Sequence, residues 1–292
     1  MTGRVIPTAS QTPTCDTTSP RHATRARVRF GRLWVDALTF AETLVSVRAL
    51  VKAGAGGTIF TPNVDHLIIA EDEAAFRRAY RRVSLSLADG VPLVWASRLL
   101  RPPLPAKLSG SDMLVPLARL AAAEGWGVYL LGGMPGAARA TAARLRAEHE
   151  VRVVGVDDTG LTLDMRSAAN RAAIARIRAA RPALLFVALG SPKQELWIAD
   201  AKADLGPVVS MGVGASFDFI AGLSKRAPGW ISRMGLEWVY RLLQDPRRLW
   251  RRYLVRGPRF IGILWRTAQL PRERRVRIDP LERVSELAPV DG

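Results

Sequence analysis

The sequence predicts an α/β fold, a mostly parallel sheet with helices on both faces, followed by a basic all-helical appendage. Three observations predict it. Short apolar segments alternate with longer stretches of helical periodicity from residue 27 to about 225. Several of the apolar segments run straight into glycines, as in Leu131-Gly132-Gly133, Leu189-Gly190-Ser191 and Met211-Gly212-Val213-Gly214. Beyond residue 225 the alternation stops, and between Lys225 and Arg277 fourteen arginines and one lysine face only Glu237, Asp245 and Glu273.

Taken in order, residues 1–26 are rich in Thr, Ser, Pro and Arg without periodicity and read as a disordered tail. A short strand at 27–30 opens the ordered chain, and a helix over 39–53 is broken by Gly54-Ala55-Gly56-Gly57. A buried strand at 58–61 precedes one long helix over 64–83, with Leu67, Ile68, Phe76 and Tyr80 at helical spacing. The strand at 85–87 ends in Ala88-Asp89-Gly90, a helix follows over 91–100, and Arg101-Pro102-Pro103-Leu104-Pro105 is a stiff connector.

Ser109 caps a helix that runs to residue 123. The strand at 128–131 ends in Gly132-Gly133, with a helix over 136–148 behind it. A strand at 151–156 and a helix over 167–180 follow, then strands at 184–189 and 208–211. Between these last two, Ser191 is the expected N-cap of a helix with Pro192 at its first position and Glu195 in its first turn. A helix over 247–262 carries Arg248, Arg252, Arg256 and Arg259 on one side and Trp250, Leu254 and Ile261 on another. The division is a tail at 1–26, a Rossmann-like domain at 27–225, a helical appendage at 226–270 and a tail at 271–292.

The 292 residues suffice for a sizeable core. No apolar run approaches the roughly 20 residues that span a bilayer, and the N-terminus lacks the apolar core of a secretory signal. The single cysteine, Cys15, rules out an intrachain disulfide, so a reducing cytoplasm is the expected compartment. A net charge of +17, concentrated in the appendage, calls for an anionic partner: nucleic acid, an acidic lipid surface or a phosphate-bearing substrate.

In an open parallel sheet, ligands bind beyond the carboxyl ends of the strands. Thr61-Pro62-Asn63, Asp89-Gly90, Gly132-Gly133 and the run from Ser191 to Gln194 all fall there. Asp89, directly after a strand, can stand in the crevice as a proton acceptor, and it equally suits an N-cap of the following helix. Thr61 and Asn63 can bond a ligand's hydroxyls or serve only the turn at Pro62. Gln194 can offer a neutral amide, or be a solvated helix residue. Gly132, Gly133, Gly212 and Gly214, next to helix N-termini, suit a nucleotide's phosphates, and Asp218 can accept from its base or ribose or be a helix residue facing solvent. The histidines show no ligand spacing; His22 lies in the tail, and His66 and His149 read as helix-surface residues. No Asp-x-Asp motif occurs, so no metal and no cofactor are expected.

PKQELW at 192–197, GVGASFDFIAG at 212–222, RAPGW at 226–230 and GLEWVYRLLQDPRRLWRRY at 235–253 carry a family resemblance. With TPNVDHLIIA at 61–70, ADGVPLV at 88–94 and SGSD at 109–112 upstream, the ordered set resembles the WecG/TagA/CpsF family of bacterial glycosyltransferases. It covers roughly residues 28–263.

The resemblance implies an inverting, metal-independent transferase on the inner face of the bacterial membrane, held there peripherally by its appendage. It would move N-acetylmannosamine or a related sugar from a UDP donor to a polyprenyl-diphosphate-linked sugar in surface-glycan assembly. Asp89 matches the family's proposed base, and Arg241, Arg248 and Arg251 match arginines thought to come over the site and clamp the diphosphate. Lys107 stands where the family typically has arginine, keeping the charge without the bidentate geometry.

A hexosyl or glucosyl donor for exopolysaccharide synthesis is the nearest alternative, since pocket shape decides between sugars. A non-enzymatic nucleic-acid binder is the alternative from another class, and no DNA- or RNA-binding motif supports it. A dinucleotide-dependent oxidoreductase lacks its Gly-x-Gly-x-x-Gly after the first strand. A second copy of the chain could complete the site with its own appendage.

Overall fold

A computed structural model describes residues 24–158, 161–229, 231 and 234–280. The side chains of Arg241, Arg248, Arg252 and Pro280 lie outside the described residues. So do most of the N-terminal tail, the final twelve residues and Trp230 of the RAPGW run.

Six strands form a parallel sheet: β3 (Gly57–Phe60), β4 (Leu85–Ser86), β5 (Val128–Gly132), β6 (Val153–Asp157), β7 (Leu184–Ala188) and β8 (Val209–Gly212). Their spatial order is β4-β3-β8-β7-β5-β6, every pair parallel. Alternation along the strands sends Tyr129, Leu131, Leu185 and Val187 into one core, and Val128, Leu130, Leu184 and Phe186 into the other. Both faces are therefore apolar, as a sheet covered by helices on each side requires.

Over the first face lie α2 (Val64–Asp72), α3 (Ala74–Arg81), α4 (Val91–Leu100), α7 (Ala168–Ala180) and α8 (Lys193–Leu205). Over the second lie α1 (Phe40–Ala53), α5 (Gly110–Ala123), α6 (Ala137–His149) and the short α9 (Ser216–Ile220). The caps at Thr39 and Ser109 form as capping boxes with Glu42 and Asp112.

Four expectations are corrected. The helix over 64–83 is two helices, because Glu73 is extended, and the Arg77 guanidinium takes over the freed carbonyls of Ala70 and Glu71. Pro192, not Ser191, is the N-cap of α8, and it makes no side-chain cap bond, since proline has no hydrogen-bonding side-chain group. His66 is 3% exposed, so it is a core residue and not a surface one. The helix over 247–262 is interrupted, with α11 (Pro246–Trp250) passing into a π-helical turn at Arg251–Arg256 before α12 (Arg259–Ala268) starts after Gly257-Pro258. A Cβ at Gly257 would stand 2.2 Å from the Tyr253 carbonyl oxygen, so the chain turns there because the side chain is missing.

A second sheet lies outside the expected plan. β1 (Thr24–Phe30) pairs antiparallel with β2 (Leu33–Asp36) and with β9 (Val276–Pro280), in the order β2-β1-β9. The first strand thus begins inside the stretch read as a tail, and residues 276–280, read as the second tail, fold back onto it. Asp36 binds Arg25 and Arg27 in a buried cluster and accepts the Ser86 amide at 2.6 Å, which stitches this sheet to the β4 edge.

The appendage comprises α10 (Glu237–Gln244), α11, the π turn, α12 and the short α13 (Arg272–Arg275). Ile263 of α12 enters the first core, and Thr267 Oγ1 accepts the Gly31 amide at 2.9 Å. Gly31 has φ +58°, and a Cβ there would meet Ile263 and Glu71 at 2.7 Å, so the β1–β2 turn is shaped for the helix to pack on it. No described helix is long and apolar enough to cross a membrane.

Candidate active site

β3 and β4 end side by side, and their loops bring Asn63 next to Asp89. Asn63 caps α2 through its side-chain oxygen, which accepts the amides of Asp65 and His66. That leaves its side-chain NH₂ to reach Asp89 Oδ2 at 3.4 Å. The Asp89 amide donates to the Pro62 carbonyl at 2.9 Å, tying the two loops together. The N-cap of α4 is Gly90, with φ +110° and no side-chain cap bond. Asp89 is therefore not the cap, and its half-buried carboxylate lines a cleft.

The cleft holds about 270 Å³. One wall is the strand-end rim, with Asn63, Asp89, Gly90 and Lys107, and the other is the appendage, with Glu237, Trp238, Tyr253 and Phe260. Trp238 and Tyr253 pack ring on ring, centroids 5.9 Å apart. A carboxylate in one wall and aromatic faces in the other suit a ligand with hydroxyls on one edge and C–H groups on the other.

Lys107 spans the cleft's edge, 3.3 Å from Glu237 of α10 and 3.5 Å from Asp112 of α5. Asp112 also pairs with Arg226. Burial pushes the Asp112 carboxyl up, but Arg226, Ser109 and Lys107 outweigh it and hold the group below its ordinary value. Further along, Arg259 grips Asp72 at 2.7 and 2.8 Å and Arg266 reaches Glu71 at 3.2 Å.

Thr61, Gln194 and Arg251 do not line this cleft. Thr61 is buried at the end of β3. Gln194 is buried too, its amide oxygen accepting the Gly214 amide at 3.0 Å and its NH₂ donating to Glu195 at 2.7 Å. Arg251 is exposed, with its guanidinium 5.4 Å from the Trp250 ring. For Arg241 and Arg248 the side chains lie outside the described residues.

Gly132 and Gly133, with φ near +90°, end β5, while Gly212 and Gly214 border the end of β8. A Cβ on Gly132 would stand 2.8 Å from the Ala188 oxygen, and one on Gly212 2.8 Å from the Gln194 amide nitrogen. Asp218 accepts the Met134 amide at 3.0 Å and so closes the turn after β5. The connections of β5 and β7 leave in opposite directions, to β6 and to β8, which opens the sheet's crevice here. Asp89 follows β4, four strands away, or about 19 Å at the usual interstrand spacing.

Sequence reading missed the aromatic wall and the buried histidine. In the sequence Trp238 and Tyr253 are aromatics interleaved with arginines, which suggests an interface and not the wall of a cleft. His66 carried one usable signal, its place three residues after an N-cap asparagine, where a side chain can bond back to the cap.

The chain matches the glycosyl transferase WecG/TagA/CpsF family model over residues 28–275, most of its length, and belongs to that family. It is a glycosyltransferase.

Proposed function

We propose that this family member is an inverting transferase. It moves an N-acetylhexosamine, N-acetylmannosamine or a close relative, from a UDP donor to a sugar carried on polyprenyl diphosphate. The observation that carries the reading is Asp89, a half-buried carboxylate lining a cleft whose other wall carries Trp238 and Tyr253. In the step proposed, Asp89 takes the proton of the acceptor hydroxyl as its oxygen attacks the anomeric carbon. The bond from that carbon to the diphosphate breaks, and UDP leaves with the electron pair. Asn63 orients the carboxylate through its 3.4 Å contact, and Trp238 and Tyr253 offer faces on which a sugar ring can stack.

The donor's sugar lies in the cleft and its nucleoside end along the glycine-bordered rim over β8, β7 and β5. The Gly133 and Gly214 amides on that rim donate to the Ala188 carbonyl and the Gln194 side chain, so the appendage arginines Arg241, Arg248 and Arg251 are the groups that serve the leaving diphosphate. Lys107, tied to Glu237 and Asp112, keeps the appendage over the site and supplies a cation at its edge. The acceptor's lipid calls for a membrane surface. Trp250, Leu254, Val255, Ile261 and Trp265 of the appendage are exposed among arginines, as an anionic interface favours.

The test is release of UDP from UDP-N-acetylmannosamine with a short-chain lipid-diphosphate-GlcNAc acceptor, in EDTA, for the wild type and Asp89→Asn. Acceptor-dependent release that collapses in the variant supports the reading. Release that ignores the substitution removes Asp89 as the base. A donor preference for UDP-glucose would move the assignment to the exopolysaccharide alternative.

A further inference from the structure

Behind Asp89 lies a buried polar pair that the proposed step does not use. His66 is 3% exposed and Glu195 is fully buried, both among the aromatic and aliphatic side chains of the first core. The His66 ring stacks on Phe76 at 5.7 Å and meets Tyr80 at 6.4 Å. Its Nδ1 accepts the Asn63 amide at 3.0 Å, so the ring's proton sits on Nε2, which faces Glu195 Oε1 at 3.5 Å. The same carboxylate oxygen accepts the Gln194 amide, whose own oxygen accepts the amide of Gly214. Burial pushes the Glu195 carboxyl up, but His66 and Gln194 outweigh it and hold it below its ordinary value. The Tyr80 phenol is pushed well above its usual value by burial, and the charges of Glu195 and Asp89 add to the effect.

A buried carboxylate is expensive, and apolar side chains of the same size would stabilise the core as well or better. The pair instead links three strand-end loops: Pro62–Asn63 after β3, Ser191–Gln194 after β7 and Val213–Gly214 after β8. We propose that His66 and Glu195 are positioning residues for the transfer. They hold the Asn63 backbone so that its side chain aims at Asp89, and through Gln194 they set the Gly214 amide on the same rim. The proposal rests on the reading of Asp89 as the base.

His66→Phe keeps the aromatic packing on Phe76 and removes both ring nitrogens. In the UDP-release assay kcat is expected to fall about tenfold or more while KM for the donor stays within about threefold, because a displaced base loses rate more than binding. His66→Gln recovers most of that loss, since a glutamine at this helix position accepts the cap amide and still offers an N–H toward Glu195. Glu195→Gln, with its volume kept and its charge gone, gives a loss weighted to kcat in the same way.

Equal rates for His66→Phe and His66→Gln, or a kcat that stays put while the melting temperature falls, would overturn the proposal. A second readout does not depend on turnover. The Asn63 side-chain amide resonances move in His66→Phe and return in His66→Gln, and resonances that ignore both variants sink the proposal. Should the wild type release no UDP from any UDP-sugar, the functional reading fails and the amide resonances still decide the network.

Discussion

The cleft has two walls built in different ways. The strand-end wall is continuous with the sheet: Asp89 is tied by its backbone to Pro62, and Asn63 is tied by its cap to α2 and by its backbone amide to the buried His66 beside Glu195. The appendage wall is held by Ile263 and Thr267 in the core, by the half-buried Lys107–Glu237 pair, and by the more exposed pairs Arg226–Asp112, Arg259–Asp72 and Arg266–Glu71. Buried hydrogen bonds are indifferent to salt and fixed in direction, whereas exposed ion pairs are weak and screened. On the proposed reading, the wall that carries the base is the one fixed by hydrogen bonds among the strand-end loops, and the wall that covers substrate is held in large part by ion pairs.

The comparison breaks most readily at Asp89. Asp89→Asn should lower kcat by about 10²- to 10⁴-fold with little change in donor KM, read by UDP release. A rate loss of that size from a change in the appendage's ion pairs would mean that the two walls share the chemistry after all. Next is Ile263→Ala, which removes the apolar anchor of the other wall and should cost about 2–4 kcal/mol of appendage docking. Faster proteolysis between residues 226 and 275, and a raised KM with kcat mostly kept, are the expected signs; a sheet that unfolds with it would refute the separation.

The latch gives a smaller effect. A double-mutant cycle on Lys107→Gln and Glu237→Gln should show a coupling of about 1 kcal/mol or less, shrinking as salt is raised. Smallest is the acid response of Asp112. Its carboxyl is held below the ordinary 3.8 in the folded protein, so its contribution is complete above that pH. It is lost as pH falls through the lower folded value, and appendage release measured by proteolysis should follow. Release that begins near neutral pH would point to another group.

Much of this was readable in one dimension. The short apolar segments located all six parallel strands, several of them running into glycines, and Ser109, Thr39 and Ser167 stand at helix starts that the structure keeps. Asp89 was legible as a group at a strand end, but the sequence left it between a crevice carboxylate and a cap of the next helix. The antiparallel sheet was not legible, since β1 and β9 are separated by almost the whole chain and the pairing partner of a short strand leaves no local mark. Gln194 looked like a ligand group and is bound to Gly214 and Glu195, because the distance between α8 and the β8 loop is invisible to sequence spacing.

The sequence by itself determined the class of fold, the position of the strand-end rim and the family to which the chain belongs. These rest on local periodicity, capping residues and ordered motifs, all of which are properties of neighbouring residues. Only the tertiary structure decided that Asp89 faces a cleft instead of capping α4, that Trp238 and Tyr253 wall it, and that His66 lies buried against Glu195. Those facts depend on which distant segments meet, and long-range packing settles that once the two apolar faces of the sheet have been covered.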